Sequence, residues 1–276
     1  MNIPVEPPSI YLGPRDSSFK ELIKKTLEKG NLDPKYIDTL LSEENMHSYA
    51  KVFTSKEVNP QNNYETFEQM GDGAAANFLS SYFYKRFPQL DCAIGVKVVA
   101  RLKINYGAKE SFYPIAEKLG FWQYISASTE ERLRKKKSLL EDVLEAFLGA
   151  TQWILDNETR VGVGYAIAYD ILKSIFDEIK ISLKYDDLYD NKTKLKEIFD
   201  ANKNLGALSY KSSRENQITT TKAYRKSNSQ EIFLGEGRSA LQKDAEQKAA
   251  GKAIIALERQ GYKKKIPPEY DYFCEF

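Results

Sequence analysis

Residues 63–88 read NYETFEQMGDGAAANFLSSYFYKRFP. Apolar residues recur in this stretch at helical spacing, and Phe67, Met70, Ala74, Phe78 and Tyr82 form one stripe. Glu68 and Asp72, four residues apart, project together from an adjoining face. Two like charges one turn apart repel and weaken an isolated helix, so the pair needs solvent or a cation. Gly71, Gly73 and the run Ala74 to Ala76 keep side-chain bulk low around it, which lets a second helix come close.

A segment with matching chemistry lies at residues 138–155, SLLEDVLEAFLGATQWIL. Leu140, Val143, Leu144, Phe147 and Leu148 are its apolar face, and Asp142 and Glu145, three apart, lie beside them. If the two helices pack with these sides adjacent, four carboxylates share one small volume and cannot all stay ionised without a divalent cation. Magnesium suits such a place, because it prefers hard oxygen ligands in octahedral geometry and keeps several waters. The competing reading of either acidic pair is a plain solvated face, and Glu65 and Glu141 show how acidic both helices are. Other catalytic groups are scarce. The chain has one histidine, His47, and two distant cysteines, Cys92 and Cys274, so it cannot assemble a His/Cys zinc site. A Ser-His-Asp arrangement would depend wholly on His47, which reads as a surface or helix-end residue.

The two acidic segments resemble the signature segments of the ribonuclease III family. Tyr64-Glu65-Thr66-Phe67-Glu68-Gln69-Met70-Gly71-Asp72 is similar to the first, an acidic, apolar run ending in Gly-Asp. Glu141-Asp142-Val143-Leu144-Glu145-Ala146-Phe147-Leu148-Gly149-Ala150 is similar to the second. Between them, Arg101 to Asn105 and Ile115 to Gly120 resemble the family's intervening helices in the expected order. The resemblance implies metal-site carboxylates at Glu68, Asp72, Asp142 and Glu145, acting directly or through water, with Glu65 as an accessory acid. It also implies a magnesium cofactor, replaceable by manganese, and hydrolysis of phosphodiester bonds by metal-activated water. By the same resemblance, a homodimer with paired sites cuts both strands of double-stranded RNA and leaves 5′-phosphates and short 3′ overhangs.

Three positions depart from the family pattern, and none removes a ligand. Gln69 stands where relatives usually carry an apolar residue that packs across the dimer interface, which leaves open a heterodimer with this chain as one active half. Ser55 occupies a position that is commonly histidine, and Tyr64 replaces a usual polar residue. The basic run Arg132, Arg134, Lys135, Lys136 and Lys137 precedes the second acidic helix. It reads either as a clamp on RNA phosphates or as a solvated loop that offsets nearby acids.

Helical periodicity dominates to about residue 180, in segments near 17–29, 33–43, 65–86, 92–106, 110–118, 138–155 and 162–180. At 183–192 the sequence LKYDDLYDNK turns acidic and loses that periodicity. The expected organisation is an all-α catalytic domain over 1–185, a linker over 186–191, an α+β domain over 192–260 and an extended tail over 261–276. The α+β domain reads as a helix from Thr193 to Ala201, three short strands (Leu208 to Tyr210, Gln217 to Arg225, Glu231 to Gly235) and a helix from Leu241 to Gln260. This α-β-β-β-α order resembles a double-stranded-RNA-binding domain, which reads A-form shape with little sequence preference. The resemblance places RNA contacts at Lys194, Glu197, Arg238, Gln242, Lys243 and Lys248. Two features depart from it: within 237–245 a single basic residue stands where relatives often have two, and the 212–217 loop lacks a Pro-His pair. A similar fold that serves protein contacts is the alternative.

Charge follows the same division. Residues 192–258 hold 13 Lys/Arg against 8 Asp/Glu, although the whole chain carries only +2. No apolar run approaches about 18 residues and the first residues form no secretory signal, so an intracellular protein without a membrane span is expected. Richness in Lys, Asn, Tyr and Ile suggests an AT-rich genome such as that of a large DNA virus. The reading is a multidomain, metal-dependent endoribonuclease, and its rival is a non-cleaving double-stranded-RNA binder that sequesters RNA or serves structurally.

Overall fold

In the computed structural model, which describes residues 9–227 and 230–273, most helices of the first half begin at caps that the sequence supplies. A short strand, β1 (Ile10–Tyr11), precedes α1 (Ser17–Glu28), whose N-cap Asp16 accepts from the backbone N–H groups of Ser18 and Phe19. Asp33 and Pro34 open α2 (Pro34–Leu40), and Ser42 caps α3 (Glu43–Val52). The long α4 (Glu65–Arg86) is followed by α5 (Ala93–Tyr106) and α6 (Ala108–Lys118). Strand β2 (Ala127–Ser128) pairs antiparallel with β1, and a capping box of Ser128 and Glu131 starts α7 (Thr129–Arg134). Then come α8 (Lys136–Glu158) and α9 (Val163–Asp177). Neither α3 nor α7 is among the helices that periodicity suggests.

Helix α8 is the centre of this unit, and α4 packs along it. Two glycines make the approach close. A methyl on Gly71 would lie 1.8 Å from the carbonyl oxygen of Glu145, and one on Gly149 would lie 2.0 Å from that of Phe67. Gly73, by contrast, faces open space. Around the crossing, Phe78, Phe83, Phe147 and Phe176 are fully buried, with Phe78 and Phe176 edge to face at 5.2 Å.

The chain divides into two compact units, one ending at Ile181 and the other beginning at Ser182. The second unit opens with α10 (Tyr185–Leu188) and α11 (Asn191–Ala201). An antiparallel sheet follows, β3 (Ala207–Glu215), β4 (Ile218–Ser227) and β5 (Gln230–Ser239), in the order β3-β4-β5. Helix α12 (Gln242–Arg259) lies across it. Ala245, Ala249 and Ala253 recur every four residues, so one narrow face of α12 meets Gly235 and Gly237 of β5. A methyl on Gly237 would lie 2.1 Å from the Ala245 carbonyl oxygen. Leu195, Ile198, Phe199, Leu234 and Leu257 complete the core.

Three expectations need correction. The supposed linker at 186–191 is folded: Leu188 is buried and Asp190 caps α11. The supposed loop at 212–217 is strand up to Glu215, closed by a tight turn at Asn216 and Gln217, both with positive φ. The supposed extended tail carries α13 (Glu269–Phe273), in which Tyr270 and Phe273 are buried. Its aromatic residues find partners in α10 and the residue after it. The Tyr270 ring lies 5.4 Å from that of Tyr185, and its hydroxyl shares a 2.9 Å hydrogen bond with Tyr189. Cys274 lies outside the described residues.

Candidate metal centre

The α4–α8 crossing brings acids from both helices together. Glu68, Asp142 and Glu145 each offer a carboxylate oxygen, and these atoms lie within 4.8 Å of one another. Asp72 lines the same cleft, of about 580 Å³, but is exposed and stands outside this three-oxygen group. Glu65, Gln69, Ser138 and Glu141 complete the lining. Glu65, expected as an accessory acid, is exposed and paired with Lys56 at 3.1 Å.

Electrostatics make the cluster costly without a cation. Burial, and then the negative charges of Asp72, Glu141, Asp142 and Glu68, push the Glu145 carboxyl up to about 8. Burial, with Asp142 next, raises Glu68 to about 7. Glu145 is 4% exposed, and its Oε1 is buried without a hydrogen-bond partner among the described residues. An orphaned acceptor in an all-oxygen cluster of like charges is the donor set that a hard divalent cation satisfies. The sequence marks Tyr64 only as a departure from the family pattern and assigns Glu141 no role. The Tyr64 hydroxyl donates to Asp142 Oδ2 at 3.1 Å, and Glu141 is buried in the cleft wall. Burial and the adjacent carboxylates hold the Tyr64 phenol well above its ordinary range, so it stays protonated.

The basic run does not form one open patch. The Arg132 guanidinium lies between the rings of Tyr11 and Trp122, at 4.0 and 3.9 Å, and donates to the Ile125 carbonyl at 2.7 Å. Arg134 pairs with Glu130 at 2.9 Å, Lys135 with Glu57 at 3.7 Å and Lys136 with Glu117 at 2.6 Å. Lys137 lies over the Tyr113 ring. Arg134, Lys135 and Lys136 remain exposed enough to meet phosphates by exchanging these partners. Ser55 is fully buried and donates to Glu131 Oε2 at 2.7 Å, so it braces the start of α7.

In the second unit, the residues considered for RNA contact separate into two groups. Lys194 and Glu197 on α11 are occupied within the unit: Lys194 pairs with Asp186 at 2.8 Å, and Glu197 accepts from Tyr185 and, at 2.7 Å, from Lys264. Gln242, Lys243 and Lys248 stand exposed on the first turns of α12. Gln242 bonds Glu246, while Lys248 reaches the Arg238 carbonyl at 3.1 Å. Arg238 itself holds Glu236 at 2.9 Å. A groove of about 820 Å³ gathers Lys194, Arg238 and Lys248 with Lys252 and Lys264, two cations that the sequence reading passed over.

Comparison with known proteins bears on the same residues. A family model described as the ribonuclease III domain matches residues 65–153, which include all four acids. The chain is similar to a protein provisionally named ribonuclease 3 from Invertebrate iridescent virus 6, at 40% identity over 97% of each chain. A protein of the same provisional name from Frog virus 3 (isolate Goorha) is 42% identical over 83% of this chain, which spans 60% of that protein's length. Ribonuclease 3 of Limosilactobacillus reuteri (strain DSM 20016) is 28% identical over 69% of this chain and 78% of its own.

Proposed function

The chain belongs to the ribonuclease III family and is an RNA endonuclease, and from that premise we propose that it hydrolyses double-stranded RNA with magnesium held by Glu68, Asp72, Asp142 and Glu145. The observation that carries this reading is the convergence of Glu68, Asp142 and Glu145 from two helices, with Oε1 of Glu145 buried and lacking a hydrogen-bond partner among the described residues. When bound, magnesium acidifies the attacking water and offsets the charge that develops on the phosphate; manganese serves in its place. Glu145, the most buried of the four, anchors the site, and Glu68 and Asp142 close it from either helix. Asp72, exposed in the same cleft, contributes through water. Glu65 remains an accessory acid whose charge Lys56 balances.

The second unit holds the duplex by its backbone. Gln242, Lys243 and Lys248 at the start of α12, with Arg238 beside them, meet phosphates with side-chain charge and helix N–H groups. Lys194 and Glu197 contribute only when their partners on α10 and near the C-terminus release them. Arg134, Lys135 and Lys136 give the catalytic unit a further phosphate contact. The working form is a homodimer that leaves 5′-phosphates and short 3′ overhangs, with Gln69 permitting a heterodimer instead. The viral relatives fit a gene of a large DNA virus and an intracellular enzyme, and no helix among the described residues is long and apolar enough to cross a membrane.

Incubating the protein with long duplex RNA and magnesium, beside Glu145→Gln, tests the reading. Cleavage by the first and binding without cleavage by the second are expected. Intact but bound RNA in both would support a sequestering protein instead.

A further inference from the structure

We propose that Tyr64 is a positioning residue of the cation site: its hydroxyl holds the Asp142 carboxylate in the orientation that lets Asp142, Glu68 and Glu145 share one cation. This rests on the metal reading above and adds a residue that touches no cation itself. Tyr64 stands at the entry to α4, and its backbone is tied on both sides. Its N–H donates to the Thr54 carbonyl at 3.1 Å, and its own carbonyl accepts from Glu68 at 2.9 Å. The residue is only 9% exposed, so the hydroxyl has little freedom to swing away. It donates to Oδ2 of Asp142 at 3.1 Å, on the other helix of the crossing.

The terminal torsion of an aspartate is broad, so a fixed donor on Oδ2 biases where its oxygens point. A phenol does this without adding positive charge, whereas a lysine in its place would compete with the cation. Hydrogen bonds to ligating carboxylates orient them, and losing such a partner lowers metal affinity by about 10- to 100-fold.

The test uses Tyr64→Phe in the full chain, which removes the hydroxyl and keeps the ring. Free manganese is followed by electron paramagnetic resonance during titration, beside duplex-RNA cleavage at rising manganese. The expected result is manganese binding weakened about tenfold and cleavage restored at high manganese. Tyr49→Phe is the control, because the buried Tyr49 hydroxyl bonds Thr151 on α8 away from the cleft. It should lower the unfolding temperature and leave manganese affinity unchanged. Equal affinities in wild type and Tyr64→Phe overturn the assignment, as does an equal loss in both variants, which would mark a general packing effect. Wild-type protein that binds no manganese overturns the metal reading itself.

Discussion

Glu145 places a carboxylate where burial and four neighbouring acids oppose its ionisation. Glu68 shares the difficulty less severely. Both groups bind a proton more tightly in the folded chain than in the unfolded one, so their effect on stability has a definite sign. Stability falls as pH rises from the ordinary carboxylate value of 4.5 through about 7 for Glu68 and about 8 for Glu145. Metal-free protein should therefore melt at a lower temperature at pH 9 than at pH 6, and magnesium should close most of that gap. Scanning fluorimetry reads both, and a midpoint indifferent to magnesium at pH 9 would contradict the arrangement. Glu145→Gln should flatten the pH dependence and lower cleavage more than about a hundredfold, with RNA affinity retained.

Among the elements, the α4–α8 crossing depends on glycine only where backbone meets backbone. Gly71→Ala would set a methyl 1.8 Å from the Glu145 carbonyl oxygen, which forces the helices apart. It should cost about 1–3 kcal/mol and weaken manganese binding, as denaturant melts and titration would reveal. Gly73→Ala meets nothing within 4 Å on the same helix and should be neutral or stabilising by up to about 1 kcal/mol. If the two substitutions behaved alike, close approach would not be what Gly71 provides. In the second unit, α11 is held by Asp186, Tyr185 and Lys264. Lys264→Ala should lower that unit's melting temperature slightly and leave duplex affinity equal to or higher than wild type, because it removes one of the two partners that hold Glu197. A clear loss of affinity at constant stability would instead make Lys264 an RNA contact.

For the whole molecule, each unit has its own apolar core, one around α8 and one between α12 and the sheet. Calorimetry should resolve two transitions, and magnesium should raise only the one that belongs to the unit with the carboxylates, because a ligand stabilises the part that binds it. A single transition shifted as a block would show that the units unfold together. The basic excess sits in the second unit, so duplex affinity should fall steeply with salt, and Lys243→Ala should reduce that slope by about one charge.

Helical spacing is a local property, which is why the acidic faces of 63–88 and 138–155 and the α-β-β-β-α order could be read from residue order alone. The missed helix α3 was legible too: Ser42 followed by Glu43 and Glu44 is a helix start, obscured by the nearby 33–43 pattern. Longer-range matters were not legible. Tyr64 meets Asp142 across 78 residues, Tyr270 meets Tyr189 across 81, and Arg132, Lys135 and Lys136 are matched by acids and rings from elsewhere in the chain. Residue types and periodicity determined which side chains share a helix face. Which faces meet, how closely, and which charges are already spent on a neighbour were decided by packing, because burial and backbone contact at Gly71 and Gly149 arise only when distant segments come together.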